Sequence, residues 1–189
     1  RVLPFKGLYW KIKDPSKFNI KTNLYPVPDL NVPFLGIHFT PSADKKTIFI
    51  GPTAIPAFGR ENYRGLKGFE PILALNNLFL MGKQYFNNNG GFRKYANEQA
   101  FLSLSPLLIK AAKELIPSIN LDNIELSQKV GIRSQLFDLK KNKLEDDFLC
   151  LKSDSSTHIL NAISPAFTAS FALGDLIIDR IYNKEPRLV

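Results

Sequence analysis

The sequence has few of the residues that build the commonest metal and nucleophile sites. Its 189 residues include one cysteine, Cys150, and two histidines, His38 and His158. A single cysteine excludes an internal disulfide and any cysteine-cluster metal site. Two histidines so far apart in sequence argue against a histidine metal cluster, so no metal is expected. H-E-x-x-H, G-x-S-x-G, a Walker A loop and a G-x-G-x-x-G following a strand are all missing. The nearest glycine-rich stretch, NNNGGF at residues 87–92, has no strand feeding it. No apolar run approaches the roughly 18 residues of a membrane span. FLSLSPLLIKAAKELI, residues 101–116, comes nearest, but Pro106, Lys110, Lys113 and Glu114 interrupt it. The opening RVLPFKGLYW has neither an initiating Met nor the apolar core of a signal peptide, which implies a cut or truncated chain.

What is present is an ordinary mix for a folded chain, with an excess of positive charge. Lys and Arg number 25 against 17 acidic residues, a net charge of +8. That balance suits an anionic substrate or an acidic membrane surface. It would also suit nucleic acid, but there is no recognition motif and no concentrated basic stripe, so no nucleic-acid partner is expected. The same lysines, spread along the chain, also read as ordinary solvated surface. Cys150 lies in the alternating stretch DFLCLK and reads as a buried strand thiol, which favours a reducing compartment.

The first third of the chain carries strand signals. GLYWKIK (7–13) alternates, NLYPVPD (23–29) reads as an extended edge, and FLGIHFT (34–40) and KTIFIG (46–51) form a pair around the turn residues PSADKK. PILALNNLFLMGKQYF (71–86) has Pro at its start and apolar residues at helical spacing. NNNGG breaks that helix. Residues 97–116 read as one kinked helix or two short ones divided near Pro106. Strands return at 129–139 and 146–152, with KKNKLE as the hairpin connection. THILNAISPAFTASFALGDLIIDRI (157–181) then has the order strand, tight turn, helix. The β, α, β order predicts an α+β fold, a mixed and largely antiparallel sheet with helices on one face.

Several of these stretches together resemble one family. They are YPVPDLNVPFLGIHFT (25–40), IGPTAIPAFGRENYRG (50–65), VGIRSQLFD (130–138) and HILNAISPAFTASFALGDLI (158–177). In this order they resemble the FAD-dependent L-2-hydroxyglutarate dehydrogenases, within the D-amino-acid-oxidase-like flavoenzymes. The resemblance covers nearly the whole chain. It implies a C-terminal portion lacking the N-terminal dinucleotide-binding half: a substrate domain over 1–152, then at 153–189 a returning strand and helix that complete a Rossmann-type FAD domain. It implies a small anionic 2-hydroxy acid as substrate and FAD as cofactor. This chain alone, lacking the pyrophosphate-binding turn, is expected neither to bind FAD tightly nor to be active. The electron acceptor is unidentified, with a membrane quinone and peripheral membrane association among the expectations. The implied location is cytoplasmic or on the inner face of a membrane, and mitochondrial in a eukaryote. The alternative is a non-catalytic fragment or pseudoenzyme module with a binding or assembly role.

The resemblance also assigns residues. Arg133, in a G-x-R segment, is placed at the substrate carboxylate, which a guanidinium fork holds through two parallel hydrogen bonds. The proline usual after that arginine is Ser134 here. His38, alternating with Ile37 and Phe39, is placed to accept the hydroxyl proton as hydride leaves the α-carbon. Tyr25, Thr40 and Thr53 join the substrate wall with Gly51 and Pro52, and Arg60 and Arg64 stand as partners for a second carboxylate. Gly131, His158, Asn161, Ser164, Pro165, Ala166 and Thr168 are assigned to the flavin. For each of these the residues alone allow a structural role as well. Arg133 fits a salt bridge, either histidine fits a sheet hydrogen bond, and Ser164 and Pro165 fit the N-cap and first position of an ordinary helix.

Overall fold

In a computed structural model, residues 1–27, 36–145, 147–162 and 166–182 are described. The chain divides into two compact units, Val2–Ser134 and Gln135–Val189, the second including Arg1.

The larger unit is built on a long first strand. β1 (Val2–Ile12) is flanked by β3 (Ile48–Gly51) and β5 (Ile124–Asp138), and β2 (His38–Pro41) lies outside β3. The short β4 (Ile55–Pro56) pairs with the start of β1 through Phe5↔Pro56 and Lys6↔Ile55. β1–β3, β2–β3 and β1–β4 are antiparallel. Lys13 N–H donates to Asn123 O at 2.8 Å and the Lys11–Glu125 ion pair sits beside it, the running order of an antiparallel β1–β5 pair. The β2–β3 turn is closed by Ser42, whose N–H donates to Thr47 O, and by the Asp44 carboxylate, which accepts from Lys46 N–H.

Three helices follow: α1 (Pro71–Asn87), α2 (Phe92–Leu102) and α3 (Ser105–Leu115). Pro71 opens α1, and Asn88, in the left-handed region, ends it. The 97–116 stretch resolves into two helices because Pro106 carries no N–H to continue α2 and suits the first turn of α3. Leu108, Ile109 and Ala112 of α3 pack on Trp10, Ile12, Ile37, Phe39, Ile48, Ile50 and Ile124, forming the main core. These apolar groups alternate along β1, β2 and β3, so the residues between them face the other way. α1 and α2 attach at the other end of β1 by side-chain amides. Asn77 Nδ2 donates to Pro4 O at 3.1 Å and Ala57 O at 3.0 Å, and Gln99 Oε1 accepts from Ala54 N–H at 2.8 Å.

In the smaller unit the end of β5 pairs with β6 (Lys143–Leu144) through Phe137↔Leu144 and Asp138↔Lys143. The hairpin partner of β5 thus lies inside the stretch expected to be its connection. Asp138 makes the tight turn by accepting from the N–H groups of Lys140 and Lys141. β7 (Cys150–Lys152) pairs instead with β8 (Thr157–Ile159), and Cys150 is half-buried rather than buried. α4 (Ser170–Ile181) closes this unit.

Other boundaries also differ from those expected. β5 begins at Ile124, earlier than 129, and α2 begins at Phe92. Around Tyr25 there is a single bridge, Leu24↔Phe39, in place of an edge strand; the rest of the 23–29 and 34–40 expectations lies partly outside the described residues. α4 starts at Ser170 with Ala169 as its N-cap, not at Pro165. Residues 166–169 form turns, consistent with the weak helix propensity of Phe167 and Thr168.

Candidate functional site

The face of the larger sheet away from α3 is set by register. His38 and Thr40 of β2 stand opposite Gly51 and Phe49 of β3, and Phe49 stands opposite Lys11 of β1. Directly opposed residues share a face. His38, Thr40, Phe49 and Lys11 therefore lie on one surface, while Phe39, Ile50 and Trp10 point into the core. Gly51 sits between His38 and Tyr9. Its φ of 140° lies in the region that favours glycine, and a Cβ there would meet Leu8 O at 2.8 Å and Tyr9 Cδ1 at 3.2 Å. The space at this position is already taken by the Tyr9 ring and the β1 backbone.

Three contacts define the chemistry of that surface. His38 Nδ1 lies 3.0 Å from Gly36 O. A carbonyl only accepts, so Nδ1 carries the proton and Nε2 of the neutral ring keeps its lone pair. Burial lowers the His38 pKa, the Gly36 hydrogen bond opposes that shift, and the Lys129 charge adds to it. Tyr25 stacks on the ring, centroids 4.6 Å apart and tilted by 32°. The Lys129 ammonium, from β5, stands 4.6 Å from the Tyr9 centroid and 4.5 Å from the Phe49 centroid. Burial, and then the nearby Tyr25, raise the Tyr9 phenol.

The other expected residues are distributed as follows. Thr53 is buried and engaged with β1: its Oγ1 accepts from Leu8 N–H and its N–H donates to Leu8 O, both at 3.1 Å. Arg133 is half-buried on β5, four residues beyond Lys129, about 13 Å of strand. Burial lowers its pKa, and the neighbouring Tyr95 opposes the shift. Gly131 has open space around the place of a Cβ. Arg60 is clamped by Glu70, with Nη2 to Oε2 at 2.8 Å, and Arg64 Nη2 donates to Gln128 O at 2.8 Å. Neither arginine is presented as a pair for a carboxylate. The residues that the sequence reading passed over are Tyr9, Phe49 and Lys129. Strand alternation was the available signal, since Tyr9 alternates with the core residue Trp10 and Lys129 is an even step from Arg133.

In the smaller unit, His158 Nε2 lies 2.8 Å from Ser156 Oγ on the exposed β8. Asn161 is buried and donates to Asp147 O at 2.6 Å and Glu145 O at 3.5 Å. Thr168 is exposed and Ala166 half-buried in the turns before α4, and Ser164 and Pro165 lie outside the described residues. The start of α4 has no side-chain cap, and no residue of this helix is buried although Phe171 and Ile178 are large and apolar. Uncapped N–H groups at the positive end of a helix fit a partner that carries negative charge, as the pyrimidine edge of a reduced flavin does. Among the described residues there is no group of three or more potential metal ligands, and no helix is long and apolar enough to cross a membrane.

The larger unit thus carries an imidazole and an ammonium on one face of its sheet. The sequence matches the FAD dependent oxidoreductase family over residues 1–180, and the chain belongs to that family. The family is FAD-dependent. Among its relatives is the mitochondrial L-2-hydroxyglutarate dehydrogenase of Nematostella vectensis, 34% identical over 95% of this chain and 40% of the relative. The L-2-hydroxyglutarate dehydrogenase of Indibacter alkaliphilus is 34% identical over 95% of this chain and 44% of its own length. The mitochondrial enzyme of Homo sapiens is 33% identical over 97% and 40%. The chain thus spans about two-fifths of the length of these curated relatives.

Proposed function

We propose that this chain forms the substrate side of a flavin-dependent dehydrogenase that oxidises L-2-hydroxyglutarate, or a similar 2-hydroxy acid, to the 2-oxo acid. The observation that carries this reading is His38: a neutral imidazole, its Nδ1 proton held by Gly36 O, on an open sheet face. Nε2 takes the hydroxyl proton while the C2–H bond gives up its hydride and the C=O bond forms. When bound, the flavin supplies the hydride acceptor. Arg133 holds the C1 carboxylate through two N–H donors, fixing which face of C2 is offered. Tyr25 and Thr40 flank His38 and limit water around it. Thr53 acts through the backbone, pinning the chain after Gly51 to β1.

In this reading residues 1–152 form the substrate domain and 153–189 the returning part of the flavin domain. His158, Asn161, Ser164, Pro165, Ala166, Thr168 and Gly131 would hold the flavin. Asn161 does so by holding the carbonyls of Glu145 and Asp147, and the uncapped α4 start by offering N–H groups. A quinone at an acidic membrane suits the basic chain as electron acceptor, and mitochondria suit a eukaryotic source, as in the names of the eukaryotic relatives. The second reading is a binding or assembly module without catalysis. The test is an assay of the flavin-loaded protein from the complete reading frame for dye reduction with L-2-hydroxyglutarate. Turnover supports the dehydrogenase; a flavin-loaded protein inert to every 2-hydroxy acid tried supports the module.

A further inference from the structure

A five-carbon 2-hydroxy diacid carries a second carboxylate that the assignments above leave without a partner. Arg60 is held by Glu70 and Arg64 by Gln128 O. We propose that Lys129 binds the distal carboxylate and thereby sets a preference for dicarboxylic over monocarboxylic 2-hydroxy acids. The inference rests on the dehydrogenase reading and deepens it.

The argument is geometric. Lys129 is an exposed residue whose ammonium stands over two rings, Tyr9 and Phe49, at 4.6 and 4.5 Å. Ring contacts fix a long side chain and leave the ammonium N–H groups on the far side free to donate. Phe49 and Thr40 are a register pair one step from His38 and Gly51, so this cation and the imidazole share one surface. In the substrate, three C–C bonds of about 1.5 Å separate the reacting carbon from the distal carboxyl carbon, an extended span of about 4 Å. β3, whose Phe49 ring lies under the ammonium, is one interstrand spacing of about 4.8 Å from β2, which carries His38. The nearest acid on β5, Glu125, is engaged by Lys11 at 2.9 Å. Lys13 adds a second positive charge near that pair.

The test uses glutarate and valerate, unreactive acids of equal length that differ by one carboxylate. Calorimetry with the full chain and with the flavin-loaded protein compares the unaltered protein with Lys129→Gln and Lys129→Arg. The expected result is a preference for glutarate of roughly tenfold to a hundredfold. It falls to near parity in Lys129→Gln and is largely kept in Lys129→Arg, with valerate binding and the unfolding midpoint unchanged. An unaltered preference in Lys129→Gln, or no preference in the parent protein, overturns the inference. The two readings separate by activity. Oxidation of L-2-hydroxyglutarate with undiminished kcat/KM in Lys129→Gln overturns the inference alone. A Lys129-dependent glutarate preference in a flavin-loaded protein that oxidises no 2-hydroxy acid overturns the dehydrogenase reading and leaves the carboxylate site.

Discussion

His38 combines an occupied Nδ1, a lowered pKa and an aromatic neighbour, and each has a consequence that can be measured. Because burial lowers the folded-state pKa below 6.5, the unfolded chain binds its proton first as pH falls. Stability from this group is therefore fully present above about pH 6.5 and is lost as pH drops through the folded value. Unfolding free energies measured between pH 8 and 5 should fall on the acid side, with less of a fall in His38→Gln. On the same grounds kcat/KM for a 2-hydroxy acid should lose activity only below the usual histidine range and be level above neutrality. At Gly51, alanine would have to adopt a φ of 140° against Leu8 O. Gly51→Ala should cost about 1–3 kcal/mol in denaturant unfolding, because its methyl group would press on Leu8 O and the Tyr9 ring. An unchanged unfolding midpoint would show that this backbone is not held as described.

The elements show where sequence periodicity informs and where it stops. The apolar spacing of 71–86 correctly marked a helix, but not which residues it buries. α1 buries Asn77 and Gln84 together with Ala74, Leu80 and Met81, and exposes Ile72, Leu75, Phe79 and Phe86. The buried amide is explained by its bonds to Pro4 O and Ala57 O, a tertiary demand that a periodicity count does not register. Asn77→Ala should cost about 1–3 kcal/mol, because Ala57 O would lose its side-chain donor while Pro4 O kept only the Ala57 N–H; a loss below about 0.5 kcal/mol would mean that water replaces the amide. The β2–β3 pair and the break at Pro106 were legible because turn residues and proline act locally. The β5–β6 hairpin was not, because Asp138 closes the turn early through backbone N–H groups in a stretch that reads only as polar. The start of α4 was misplaced because Ser164-Pro165 carries strong capping chemistry on sequence grounds while the helix begins at Ser170.

For the molecule as a whole, the sequence disclosed the α+β class and the family. It did not disclose the ammonium of Lys129 over two rings, because that arrangement depends on β5 lying beside β1. The 189 residues contain no glycine-rich phosphate turn of the dinucleotide type. Titrated with FAD, this chain alone should bind weakly and purify colourless; a yellow preparation with roughly one flavin per chain would contradict the division of labour proposed here. In the flavin-loaded protein, Arg133→Lys should keep the charge, lose the planar fork and cost about 2–4 kcal/mol in kcat/KM with flavin content unchanged. The most direct test of the central claim is the rate of flavin reduction by L-2-hydroxyglutarate, followed by stopped-flow absorbance at neutral pH, in the parent protein and in His38→Gln. The account predicts a loss of roughly 10²- to 10⁴-fold with flavin content and fold unchanged, and a rate within twofold of the parent would contradict it.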